Sequence, residues 1–364
     1  MTATPSVDGA DVTAAVVDET IHTVTSNVET IFTWDYEQSR APLIKLYEKA
    51  KTSQWNASTD LDWSIDVDPE KIARELGMGT TARFSALQGI ENSPLRNFGE
   101  KEWLQVSVEI QNSLLSQFMH GEQGALLCTA RIVETVPWID AKYYAATQVM
   151  DEARHVEVFA RYLDEKLSSQ YRINPNLRSL LDDILSDSRW DITYLGMQIM
   201  VEGLALAAFG MMQQITSEPL LKKLLRYVMS DEARHVAFGV LSLKEFYAGL
   251  TASELRERQE FAFDTACRLQ QRFMQGEVWE RMGVDPNVVK ELLDANNPPE
   301  QQIFQTMLFS KIVPNCKKLG LLDAADGWLR ERFTETGVIQ FEDWTDTGEE
   351  YSMLDEVSRD RATA

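Results

Sequence analysis

The chain has 364 residues, 44% of them hydrophobic, enough to bury a large core in one big domain or two ordinary ones. Its net charge of −22, from 57 acidic against 35 basic residues, would repel a phosphate backbone and argues against nucleic acid as a partner. Three scattered cysteines, Cys128, Cys267 and Cys316, fit neither a disulfide framework nor a Cys-rich zinc site, so a reducing cytoplasm is the expected setting.

The first residues, "MTATPSVDGADVTAAVVDET", show no basic start followed by an apolar run, and no stretch elsewhere is read as approaching the roughly 18 apolar residues of a membrane span. Residues 1–30 read as an N-terminal arm, 31–335 as a single helical domain, and 336–364 as an acidic C-terminal tail. Apolar residues recur at helical spacing in "APLIKLYEKAK", "SELRERQEFAFDTACRLQQRF" and "PEQQIFQTMLFSKIV", while strand-like alternation and Gly-rich phosphate loops are lacking. The expected fold class is all-α.

In the centre, at about 100–250, a long helix is expected from about Glu102 to Thr135, a break at Val136 and Pro137, and a second helix from near Asp140 to about Leu167. A second hairpin is expected from about Trp190 to Ile215, with a turn at "TSEPL" and a return helix that Ser217 can cap and Pro219 can start. Two antiparallel hairpins make a four-helix bundle.

Each return helix spells Asp-Glu-Ala-Arg-His-Val, beginning at Asp151 and at Asp231. Glu and His three residues apart share a helix face, which pairs Glu152 with His155 and Glu232 with His235. Thirty residues upstream of each glutamate stand Glu122 and Glu202, both among small and apolar neighbours where a lone carboxylate would be costly. Each of the four glutamates lies 15 residues, roughly 22 Å of helix, from its turn, so all reach one level of the bundle.

Eighty residues separate Glu122 from Glu202, Glu152 from Glu232 and His155 from His235, so the chain contains an internal repeat. The halves would converge Glu122, Glu152, His155, Glu202, Glu232 and His235 on one point, a ligand set suited to two iron or manganese ions. Asp151 and Asp231 are placed to orient the histidines, Asp151 serving His235 and Asp231 serving His155, with Arg154 and Arg234 holding the aspartates. His22 and His120 are not expected to be ligands, and Met197, Met200, Met211 and Met212 are expected in the core.

With these motifs the sequence resembles the ferritin-like di-iron carboxylate superfamily, in particular its oxygen-activating branch of monooxygenases, N-oxygenases and oxidases like the ribonucleotide reductase small subunit. "DEARH" is similar to segments of bacterial multicomponent monooxygenases and acyl carrier protein desaturases. "QWNASTDLDWSID", with Trp55, Asp60 and Asp62, resembles the segment preceding the bundle in the reductase small subunit.

The resemblance implies a ferritin-like bundle with flanking helices and two Fe ions (Fe2+/Fe3+), or a Mn/Fe pair, that use O2 to oxidise an organic substrate. It also implies an electron path Trp55, Asp231, His155, although Trp55 is equally read as structural. The sequence departs from particular subfamilies at Phe159, Leu206 and Val228, where a radical Tyr, a Thr and a third His are usual.

Gly121, Gly124, Ala125, Cys128, Gly203, Leu206 and Phe209 are candidate pocket walls, or else positions of close helix packing, and suggest a small, largely apolar or aromatic substrate. Hydroxylation, N-oxygenation, desaturation and oxidative cleavage stay open. A ferroxidase, or a radical-generating subunit in which Tyr194 replaces the missing Tyr, are the alternatives. A ferredoxin or flavin reductase as electron donor and a homodimer are expected from relatives.

Overall fold

The computed structural model describes residues 21–167, 169–299 and 309–344, with backbone alone at 76–80; these residues contain helices and no β-strand. Four long helices form the bundle: α3 (Glu100–Thr135), α4 (Ile139–Lys166), α6 (Trp190–Ile215) and α7 (Pro219–Tyr247). Before them come α1 (Ala41–Thr52) and α2 (Pro69–Thr80), and α5 (Pro175–Ser186) links the two hairpins. After them come α8 (Ala252–Arg272), α9 (Gly276–Arg281), α10 (Pro286–Asn296), α11 (Ile312–Lys318) and α12 (Trp328–Glu335).

Local chemistry sets the bundle's breaks. Glu102 reaches back to accept the Gly99 N–H at 2.9 Å and so closes the start of α3. At its far end Val136 is extended (ψ 136°) ahead of Pro137, which stops the helix where the sequence predicts.

The second turn differs in detail from expectation. Pro219 does begin α7, but the cap is Glu218, whose carboxylate accepts the Leu220 and Leu221 N–H groups at 2.8 and 2.6 Å. Ser217 turns instead to Glu75 on α2, which accepts its N–H at 2.8 Å. The longer Glu side chain, one residue nearer the helix, outcompetes the serine for the free amides.

Helices α3 and α4 pack along each other, as do α6 and α7, and α4 meets α7 across the bundle. Around this core α1 lies on α4 and α7, α2 on α3, and α8 on α5 and on the first half of α6. By length and composition α6 is apolar enough to cross a membrane, which corrects the expectation that no such stretch exists. Most of it is buried against the other helices, and that all-round burial accounts for its composition. Met197, Met200 and Met212 are buried in the core and Met211 packs on its edge.

The described part of the expected arm, residues 21–30, has no regular structure, and the chain stays irregular to Arg40. It is tied to the α3–α4 turn: the Ile31 N–H donates to Glu134 O and the Thr33 hydroxyl to Pro137 O, both at 2.8 Å. At the other end Val338 and Phe341 are buried, so the packed domain continues past residue 335. Residues 1–20 of the arm, residues 345–364 of the tail and the "EQQIFQTML" stretch of the helix expected after Pro299 lie outside the described residues.

Candidate metal centre

Halfway along the bundle the four long helices bring Glu122 from α3, Glu152 and His155 from α4, Glu202 from α6, and Glu232 and His235 from α7 into one buried cluster. One ligand atom from each of Glu122, Glu152, His155 and Glu232 lies within 4.8 Å of the others, and the same holds for Glu152, Glu202 and His235. Glu152 belongs to both groups. Glu232 touches both as well, its oxygens lying 3.0 Å from His155 Nδ1 and 3.5 Å from His235 Nδ1. The two imidazole centroids are 5.8 Å apart.

Both histidines turn Nε2 outward to an aspartate of the opposite hairpin. His155 Nε2 meets Asp231 Oδ2 at 3.2 Å, and His235 Nε2 meets Asp151 Oδ2 at 3.3 Å. That leaves each Nδ1 facing the glutamates. Arg154 is hydrogen-bonded to Asp151 and lies 3.3 Å from Asp231; Arg234 is hydrogen-bonded to Asp231 and lies 3.5 Å from Asp151. Two buried aspartates and two buried arginines therefore close a neutral ring behind the histidines.

Three neighbours complete this frame. The Gln148 amide donates to Glu152 at 2.8 Å and to Glu202 at 3.2 Å, coupling carboxylates from the two hairpins. Gln54 donates to Asp151 at 3.3 Å and accepts from Arg154 at 2.7 Å. The Trp55 indole N–H donates to Asp231 at 2.7 Å, its ring stacked on Tyr227 with centroids 4.9 Å apart.

Sequence reasoning missed Gln148 and Gln54. The signal for Gln148 is its place one turn before Glu152, on the same helix face; Gln54 gives no comparable sign beyond adjoining Trp55. Also unforeseen is the π-helical stretch Leu195–Val201, which rotates α6 just before it delivers Glu202.

Packing acids this tightly shifts their protonation. Burial, then Glu232 beside it, pushes the Glu122 carboxyl up to about 8. Burial, Glu232 and Glu152 also raise Glu202 far above the carboxylate range. Burial acts the same way on Glu152, but His235 and His155 overcome it and hold that group low. The histidines are raised well above their ordinary value despite burial, His155 by hydrogen bonds to Asp231 and Glu122, His235 by the charges of Glu152 and Glu232.

The donor set fits a pair of divalent cations. One oxygen each of Glu152 and Glu202, both oxygens of Glu232, and His235 Nδ1 are buried without a hydrogen-bond partner, a costly arrangement that metal coordination would satisfy. Four carboxylates offset the charge of two such ions. The cluster is thus able to bind a dinuclear metal site.

Of the other two histidines, His120 bonds to Tyr171 O at 2.9 Å and His22 to Asp182 at 2.7 Å, both away from the cluster. A narrow cavity opens beside it, lined by Gln117, Phe118, Gly121, Glu122, Ala125, Val201, Glu202, Ala205, Glu232 and Arg272, with room for about one water molecule. Among the expected pocket walls, Gly121 and Ala125 line it; Gly124, Cys128, Gly203, Leu206 and Phe209 do not. A Cβ on Gly124 would stand 2.5 Å from Leu181, so that glycine lets α3 approach α5. The lining is mixed polar and apolar where the sequence suggested an apolar one.

Fold and cluster together define a ferritin-like helical protein with a buried carboxylate-histidine site. Among solved structures the chain is similar to R2-like ligand-binding oxidases. A variant with an anaerobically reconstituted Mn/Fe cofactor matches at 18% identity and a TM-score of 0.50, over 78% of this chain and 94% of that one. A second such variant matches at 18% identity and a TM-score of 0.48, over 79% and 95%. The likeness is one of fold. No protein-family model and no curated protein matches the sequence.

Proposed function

We propose that the protein is an oxygen-activating oxidoreductase, a monooxygenase or oxidase with a di-iron or Mn/Fe centre, acting on a small organic substrate. The observation that carries this reading is a ligand-rich, under-bonded cluster of four glutamates and two histidines with a cavity directly against Glu122, Glu202 and Glu232. Glu122, Glu152, His155 and Glu232 would hold one ion, and Glu152, Glu202 and His235 the other. When bound, a reduced metal pair supplies electrons to O2.

The chain's residues supply the rest. Asp231 and Asp151 fix the imidazoles, Gln148 holds Glu152 and Glu202 in place, and the burial of all six ligands keeps bulk water out. Phe118, Ala125, Val201 and Ala205 offer apolar walls to a substrate. Electrons from a donor such as a ferredoxin or flavin reductase would pass along Trp55, Asp231 and His155, joined by contacts of 2.7 and 3.2 Å.

The test is rapid-mixing absorbance of anaerobic protein loaded with two Fe(II) per chain and mixed with O2. A transient visible band that decays to a stable ferric state with two irons per chain supports the proposal. Iron uptake that continues past two per chain with featureless ferric growth would instead mean a ferroxidase or store. A persistent organic radical would mean a radical-generating subunit, a role that Phe159 at the radical position disfavours.

A further inference from the structure

A column of aromatic rings runs along one side of the bundle. Tyr144 on α4 packs on Phe238 of α7 with ring centroids 4.4 Å apart, Phe238 on Tyr194 of α6 at 5.0 Å, Tyr194 on Trp190 at 5.4 Å, and Trp190 on Trp138 at 5.2 Å. Its inner end lies close behind the ligands. Tyr144 is one turn before Gln148 and within electrostatic reach of Arg234, and Phe238 is one turn after His235. At the outer end Trp190 and Trp138 are half-buried, and Arg40 covers the Trp138 ring at 4.4 Å, whereas Tyr144, Phe238 and Tyr194 are fully buried.

Packing alone does not ask for these rings. The eighty-residue repeat puts Leu224, Val158, Leu114 and Ile110 in the other half where Tyr144, Phe238, Tyr194 and Trp190 stand, and all four aliphatic side chains are buried in the same bundle. Nor does packing ask for the hydroxyls. Burying a phenol among apolar rings costs free energy that a phenylalanine avoids, yet Tyr144 and Tyr194 keep theirs, the latter beside the buried Ser242 hydroxyl. What sets Tyr and Trp apart from Leu and Phe is that they give up an electron readily. Electron transfer falls off steeply with distance, so rings in contact carry charge where isolated ones do not.

We propose that this column is a discharge path: when oxygen is activated with no organic substrate in place, oxidising equivalents leave the ligand cluster through Tyr144, Tyr194 and Trp190, and a small thiol quenches them at the surface. The inference rests on the oxygen-activating reading above. Each step moves one electron inward: Tyr144 is oxidised and then re-reduced by Tyr194 across Phe238, Tyr194 by Trp190, and Trp190 by a thiolate. A phenol proton released on oxidation returns when its ring is re-reduced. Four thiols and one O2 thereby yield two disulfides and two waters, the thiol protons ending in the water. The Arg40 cation disfavours a second positive charge on Trp138, which leaves Trp190 as the last stop.

The test exposes the full chain, loaded with two Fe(II), to O2 without organic substrate, and maps oxygen adducts by peptide mass spectrometry with and without 2-mercaptoethanol. Trp34, 74% exposed and outside the column, is the internal control for oxidants that diffuse through solvent. Adducts on Trp190 are expected to exceed those on Trp34 about fivefold or more, and mercaptoethanol should suppress them while it is oxidised to its disulfide. Tyr194→Phe should cut both the Trp190 adducts and the disulfide about fivefold.

Equal adducts on Trp34 and Trp190 overturn the proposal, as does a Tyr194→Phe chain that oxidises Trp190 and thiol as the wild type does. Should Tyr194→Phe fail to hold two irons, Trp190→Phe interrupts the path at its far end, and undiminished disulfide formation there overturns it equally. A wild type that consumes no O2 sinks the oxygen-activating reading and the discharge path with it, whereas O2 consumed with neither Trp190 adducts nor disulfide sinks the discharge path alone.

Discussion

Replacing Glu122 by Gln in the metal-free protein isolates the electrostatic cost of gathering the acids. The Glu122 carboxyl titrates at about 8 in the folded chain against 4.5 when unperturbed. A carboxyl raised in this way favours the folded state below the unfolded value and withdraws that support as pH climbs toward the folded one. With up to one extra proton bound to the native state, the loss is about 2 kcal/mol between pH 6 and 8, out of ~5 kcal/mol over the whole span from below the unfolded value to above the folded one.

A glutamine has no proton to lose. Whatever the variant's stability relative to wild type at pH 6, urea denaturation at pH 8 should shift the comparison toward the variant by about 2 kcal/mol. Loading metal into the wild type at pH 7 should expel the Glu122 proton, visible by calorimetry in buffers of different ionisation enthalpy. A stability gap that stays constant from pH 6 to 8, with no proton release on loading, would refute the reasoning.

Asp231→Asn removes the charge behind His155 and weakens the contacts to Trp55 and Arg234; metal affinity, read by competition with a chelator, should fall about 10- to 100-fold. Gln148→Leu deletes the donor shared by Glu152 and Glu202, so the ion held by Glu152, Glu202 and His235 should weaken more than the other, giving two unequal steps in a Mn(II) titration. In Gly239→Ala the new methyl would stand 2.7 Å from Gln198 Cβ, an overpacking of ~1–3 kcal/mol set against ~1 kcal/mol of better helix propensity, so a net loss is expected in urea denaturation.

The bundle was legible because its signals are periodic and repeated. A spacing of 80 residues in three positions places two hairpins in register, and Pro137 and Pro219 mark where each turns. The partnership of each aspartate with the opposite histidine followed from the same symmetry. What escaped was set by packing that the repeat does not carry. Gln148 has no counterpart in the second motif, where position 228 is Val, and Gln54 arrives from a segment outside the bundle.

The Glu218 cap rests on a one-residue competition that composition cannot settle. The cavity walls were misassigned because small residues serve two purposes: Gly121 leaves space, while Gly124, three residues on, is consumed by Leu181. Nor does the sequence mark Arg272, since nothing in "CRLQQRF" separates a surface arginine from one turned inward.

The crossing of aspartates between hairpins has a consequence for how the chain matures. Because His155 is steadied by Asp231 and His235 by Asp151, neither hairpin owns a finished imidazole ligand. A nascent chain whose first hairpin has formed but whose second has not presents a loose Glu152-His155 pair, its imidazole without the Asp231 that steadies it, beside an Asp151-Arg154 ion pair that still lacks His235. Such a half-built site is a poor trap for a passing ion. Tight capture waits until both halves interlock, so the fold itself acts as the gatekeeper that decides when the chain is metallated.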